Sequence, residues 1–157
     1  MLKKRRVDTL CIQETKWKGD KTNEANGFKL WYSGVVSTRN GVGIMLNTQM
    51  KNNVVEVNRF NDRVMMIKLV VNAEIVNIVS AYAPQIGLSD VEKRHFWDYL
   101  DDLVRLIPSD QLIYIGVILM VVLVSSLMAT LVLMGVLVLV QEMKVDVLFW
   151  NLHWHMN

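Results

Sequence analysis

The chain has 157 residues, enough for one ordinary domain, and a formal net charge of +2 that argues neither for nor against a nucleic-acid partner. Its single cysteine, Cys11, excludes an internal disulfide or a cysteine-built zinc site within these residues. The 52% hydrophobic content averages two unlike regions, because of the 17 Lys/Arg and 15 Asp/Glu only Lys144, Glu142 and Asp146 lie beyond Gln111.

In chain order, the basic run Lys3–Arg6 reads as a solvated face, and no apolar run follows it as a secretory signal would require. Val7–Ile12 is a short apolar strand ending at Gln13 and Glu14, with Cys11 a buried thiol between Leu10 and Ile12. Lys29–Ser33 and Val42–Leu46 are predicted strands around a turn-rich stretch containing Asn40-Gly41. Val54–Phe60, Val64–Val71 and Ile75–Ala81 follow as β-branched strands, the last two joined by a tight turn at Asn72–Glu74. Pro84 stops the last of them.

Ser89 and Glu92 then form a capping box. Phe96, Trp97, Leu100, Leu103, Val104 and Ile107 recur on one helical face until Pro108. Leu112–Ile115 begins another buried strand. Antiparallel strands combined with βα units predict a layered α/β sandwich of two sheets, here only partial, rather than a simple Rossmann sheet.

From Leu112 to Val140 no charged residue occurs. The run exceeds the roughly 20 apolar residues needed to cross a bilayer, so the tail is expected to be helical if folded. On that expectation the chain would be a small membrane protein anchored through 112–140. The alternation Val136-Leu137-Val138-Leu139-Val140 suits an association-prone strand equally well. His153 and His155, two positions apart and without further ligands, make no metal site.

Residues with chemical potential stand at strand ends. Glu14 lies just beyond an apolar strand, where one carboxylate together with water and phosphate oxygens suffices to anchor Mg²⁺. Tyr82, at the end of a strand, would present a phenol to the same edge, able to hydrogen-bond a phosphate or developing charge. Arg39 and Asn40 sit on a loop able to reach a DNA backbone. Taken singly, these are a surface acid, a half-buried aromatic and a hairpin turn.

Six phrases in order carry more than any of them alone: LCIQETKWKGD, GFKLWYSG, RNGVGIML, NRFNDRVMMIKL, NIVSAYAPQ and EKRHFWDYLDDLVRLIP. From about Val7 to Gly116 the chain resembles domains of the endonuclease/exonuclease/phosphatase superfamily. Within it, the likeness is to the endonucleases of non-LTR (LINE-type) retrotransposons and to craniofacial development protein 2-like sequences. The resemblance implies a Mg²⁺-dependent domain that hydrolyses DNA phosphodiester bonds. It gives Glu14 the metal, Tyr82 the scissile phosphate, and Arg39 to Gly43 a loop near the DNA. No specific protein partner is implied.

The departures from the family pattern matter as much. The family opens with a strand carrying an Asn, which this chain would lack as if truncated. After Leu112–Gly116 it continues Gly-Asp-Phe-Asn, where this chain reads Val117-Ile118-Leu119-Met120. A later Ser-Asp-His phrase would supply the pair that activates water, and none of His95, His153 and His155 follows Ser-Asp. One lost base near Gly116 accounts for the change. Read one base out of register, Gly-Asp-Phe-Asn-Gly becomes Val-Ile-Leu-Met-Val, and a Gly-Phe repeat becomes alternating Val and Leu. On this reading 1–116 is a partial nuclease-like domain and 117–157 a hydrophobic out-of-register tail, ending in a membrane or in aggregates if translated. The parent activity is then absent from the chain.

Overall fold

A computed structural model of the protein describes residues 8–34, 40–85, 87–125 and 129–140, the last two strands beyond Val117 by their backbone. The first sheet is built from β1 (Thr9–Gln13), β2 (Lys21–Ala25), β3 (Phe28–Ser33) and β4 (Val42–Leu46), in the order β1-β4-β3-β2. The second contains β5 (Val54–Arg59), β6 (Val64–Val71), β7 (Glu74–Tyr82), β8 (Leu112–Ser125) and β9 (Ala129–Val140), in sequence order. Two helices complete the described residues, α1 (Thr48–Lys51) and α2 (Asp90–Arg105). The architecture is the two-sheet α/β sandwich expected from the sequence.

The period-two alternation of β6 and β7 builds this layering. Met65, Ile67 and Leu69 of β6, with Val76, Ile78 and Tyr82 of β7, turn toward the first sheet. There they meet Trp31, Val42, Ile44 and Leu46. The intervening Val64, Met66, Val79 and Ala81 face the other way and receive Phe96, Leu100 and Leu103 of α2. The second sheet is therefore apolar on both faces, and its strands read as near-continuous hydrophobic runs.

Local signals set the element ends. The Ser89 hydroxyl accepts from the Glu92 amide, and the Glu92 carboxylate accepts from the Ser89 amide, the reciprocal capping box expected there. Asn72 and Ala73, with φ of +51° and +68°, make the two-residue turn that pairs Val71 with Glu74. The structure adds β2 and α1, which sequence patterning did not predict. β2 is exposed throughout, yet Asn26-Gly27, both at positive φ, turns it back onto β3 so that Ala25 faces Phe28. In α1 the Asn47 side chain caps a single turn by accepting from Gln49 and Met50.

The tail corrects one expectation. The described parts of Leu112–Val140 are strands, not helix: β8 begins where a strand was predicted and runs on through Gly116 to Ser125, and Ala129–Val140 pairs back on it as β9. Hydropathy alone does not distinguish a buried strand from a buried helix, whereas β-branched content and a neighbouring strand to pair with do. β8 pairs parallel with β7 from Val76↔Leu112 to Tyr82↔Ile118, which satisfies its backbone across the sheet. Among the described residues no helix is long and apolar enough to cross a membrane, so the helical anchor through 112–140 is withdrawn. Lys3–Arg6 and residues 141–157, including His153 and His155, lie outside the described residues.

Candidate functional site

The C-terminal ends of β1, β3 and β7 and the start of β4 come together at one end of the sandwich. β1 leaves the first sheet at Gln13, and the chain turns there with Glu14 and Lys16 at φ of +52° and +55°. Both are left-handed conformations that non-glycine residues rarely adopt. The turn is held by main-chain bonds to the strand beyond it. The Thr15 amide donates to the Gly41 carbonyl (3.1 Å) and the Lys16 amide to the Asn40 carbonyl (3.0 Å). Gly41, at φ +117°, is required for that approach, since a Cβ built there would lie 2.2 Å from the Thr15 hydroxyl.

This turn brings Glu14 onto Tyr82, 68 positions away in sequence. The Tyr82 phenol donates to Glu14 Oε1 at 2.5 Å, a short hydrogen bond. The Gln85 amide donates to the same carboxylate oxygen at 3.2 Å and to the phenol oxygen at 2.8 Å. Burial, reinforced by the Glu14 bond, raises the Tyr82 pKa above its ordinary value, so the phenol stays a proton donor near neutral pH. The residue is only 2% exposed, which leaves little of it for a ligand to touch.

A second tier holds this centre in place. Arg63 donates to the Tyr82 carbonyl at 3.3 Å and lies 5.2 Å over its ring. Asn61 accepts from the Arg63 and Val64 amides, and the Asp62 carbonyl accepts from the Gly41 amide. One residue before Glu14, the Gln13 amide group donates to Ser80 Oγ (3.1 Å) and the Gly116 carbonyl (3.2 Å). These bonds tie the edge of the first sheet to β7 and β8.

Two of the four residues singled out from the sequence, Glu14 and Tyr82, are thus in direct contact. Asn40 is close by, but its side-chain amide is committed to Asp62 Oδ2 at 2.7 Å. Arg39 lies outside the described residues. Gln85 and Arg63 were not foreseen. Both stand inside phrases that carry the resemblance, yet nothing in their local pattern marks them.

As a metal ligand set, the centre is minimal. Among the described residues, no group of three or more His, Cys, Asp or Glu side chains is placed to hold an ion. Glu14 offers one hard oxygen donor pair, and the neighbouring donors are a phenol and an amide. That set fits a divalent ion only where phosphate oxygens and water complete the shell.

No protein-family profile matches the chain. Over 110 residues it is 26% identical to craniofacial development protein 2 of Bos taurus, covering 69% of this chain and 19% of that protein. The same protein of Tragulus javanicus gives the same identity and the same shares. The chain therefore spans about a fifth of the length of the curated relatives it matches. Among solved structures, truncated Caenorhabditis elegans TDP2 superposes with a TM-score of 0.46 at 14% identity, covering 74% of this chain and 51% of that one. The likeness to craniofacial development protein 2 agrees with the resemblance read from the six phrases.

Proposed function

We propose that the chain carries part of an endonuclease/exonuclease/phosphatase-type centre, directed at DNA phosphodiesters through Mg²⁺, and that alone it binds but does not hydrolyse them. The observation that carries this reading is the Glu14–Tyr82–Gln85 cluster at the shared end of both sheets. Glu14 would anchor Mg²⁺, and the ion, when bound, would offset the charge of a phosphate. The Tyr82 phenol, kept protonated, would donate to a phosphate oxygen in exchange for Glu14. The likeness to craniofacial development protein 2 supports the superfamily, and the LINE-type endonuclease is the finer assignment within it.

Inactivity follows from what stands at the next strand end. Tyr82 is the register partner of Ile118, and one-base restoration of the reading frame would place Asp at 118 and Asn at 120. The register therefore supports a lost carboxylate beside the phenol. Without it, and with no Asp–His pair among the described residues to take a proton from water, the site lacks the general base that hydrolysis needs. The purified chain is expected to leave supercoiled plasmid intact in Mg²⁺. Mg²⁺-dependent nicking that disappears in Glu14→Gln would overturn the inactivity. The coding DNA tests the frame reading separately, since no single-base shift recovering Gly-Asp-Phe-Asn would end it.

A further inference from the structure

We infer that Trp17 is a stacking platform for an unpaired nucleobase, set beside the phosphate-binding centre and on the same turn as Glu14. The inference rests on the phosphodiester reading above and names how that site would hold its strand.

Large apolar rings usually end in the core, and Trp31 does, at 6% exposure. Trp17 is 45% exposed. It is nevertheless not a loose side chain. Its ring meets Tyr32 edge to face, with centroids 5.0 Å apart and planes at 66°. The turn beneath it is tied at both ends, by the Thr15 and Lys16 amides on one side and by the Gly19 amide to the Gly34 carbonyl (2.5 Å) on the other. An indole fixed in this way loses little freedom when a flat ligand lies against it.

The surroundings indicate which flat ligand. Lys16, Lys18 and Lys21, all exposed, flank Trp17 along the chain, with Asp20 the one acid between them. Arg59 donates to the Tyr32 and Lys21 carbonyls and to the Thr22 hydroxyl, bringing a fourth cation onto the backbone of Tyr32, the partner of Trp17. An aromatic ring fringed by cations matches a base joined to phosphates better than an apolar peptide or an acyl chain. Stacking is indifferent to base identity, because every base has a π face. The platform would accordingly favour a single-stranded or extruded nucleotide over a closed duplex.

The test uses the full chain and two fluorescently labelled probes of equal length, single-stranded oligo-deoxythymidine and its abasic counterpart, compared by anisotropy. The thymine strand is expected to bind roughly tenfold more tightly, near the lower end of what one stacked base contributes. Trp17→Ala should erase that ratio while leaving abasic affinity unchanged, and Trp17→Phe should keep part of it. Lys16→Gln with Lys18→Gln should weaken both probes alike and flatten the salt dependence. Equal binding of the two probes, a base preference that survives Trp17→Ala, or no binding of either strand would overturn the inference. The phosphodiester centre is read separately, as a Mg²⁺-dependent gain in abasic affinity that Glu14→Gln removes. Loss of that gain with the thymine ratio intact would sink the centre and not the platform.

Discussion

The two ends of the sandwich are built from the same strands and do opposite things. At one end, β1 and β7 finish near Gln13, Glu14 and Tyr82, whose side chains are hydrogen-bonded between the sheets. Toward the other, Leu10 of β1 and Val76 and Ile78 of β7 line an open apolar groove of about 590 Å³ together with Met50, Leu112 and Tyr114, which reaches as far as Gln13 and Gly116. β1 forms the margin of the first sheet, and the second sheet continues past it through β8 and β9, with Cys11 of β1 lying against Gly116 of β8. The groove end holds the fold by burial, and the polar end holds a geometry by hydrogen bonds. Substitutions at the two ends should therefore read out differently, in stability at the first and in ligand response at the second.

The largest effect is expected at the groove end. Ile78, 5% exposed between the sheets, packs with Ile67, Leu69 and Val76. Ile78→Ala should cost about 2–5 kcal/mol in urea unfolding, toward the lower figure because the groove already gives its neighbours room to relax. Oligonucleotide affinity of the folded fraction should not change. A cost below about 0.5 kcal/mol would mean that this end is not packed as described.

At the polar end, Gly41→Ala is expected to cost less, about 1–3 kcal/mol, but to disturb more. The added methyl meets the Thr15 hydroxyl at 2.2 Å, and φ of +117° is foreign to alanine. Relief requires the 14–16 turn to move, and with it Glu14. The check is whether Gly41→Ala loses the Mg²⁺-dependent gain in phosphate affinity that Ile78→Ala retains. If both variants retain it, the turn does not position Glu14.

This division also explains how much could be read from the sequence. β4 and β6 begin and end where alternation placed them, and the α2 capping box is where Ser89 and Glu92 predicted it. These features are decided by residues within a few positions of each other. β2 was missed because KTNEA has no apolar face at all: its place comes from the Asn26-Gly27 turn and from pairing with β3. That turn signal was available and would have found it. Glu14 and Tyr82 were legible as strand-end residues within family phrases. Their contact was not, because it depends on how one sheet sits on the other across 68 positions. Gln85 and Arg63 depend on the same packing. The tail was misread for a related reason, since hydropathy records burial and carries no information about the partner strand that turns an apolar run into β8.

The smallest expected effect concerns the seam between the two ends, and it appears only in alkali. Cys11 sits between them, its thiol directed at the Val79 carbonyl (3.7 Å) and its Cβ so near Gly116 that any side chain there would strike it. Burial pushes the Cys11 thiol from 9.0 up to about 11, and burial with the Glu14 bond raises Tyr82 as well. Both groups hold their protons more tightly in the folded chain than in the unfolded one. Their contribution is thus fully present below about pH 9 and is lost as pH rises through 9 toward 11, where the unfolded chain ionises first. At pH 10 the loss from Cys11 should reach about 1 kcal/mol, one unit above its unfolded value. Unfolding midpoints measured from pH 7 to 10.5 should stay level to about 9 and then fall, and Cys11→Ala should flatten the first part of that fall. Tyr82→Phe should act only at the upper end. A thiol that reacts with iodoacetamide in the folded chain at pH 8 as fast as a free one would show that the seam is open, and the two ends would then not be separate environments.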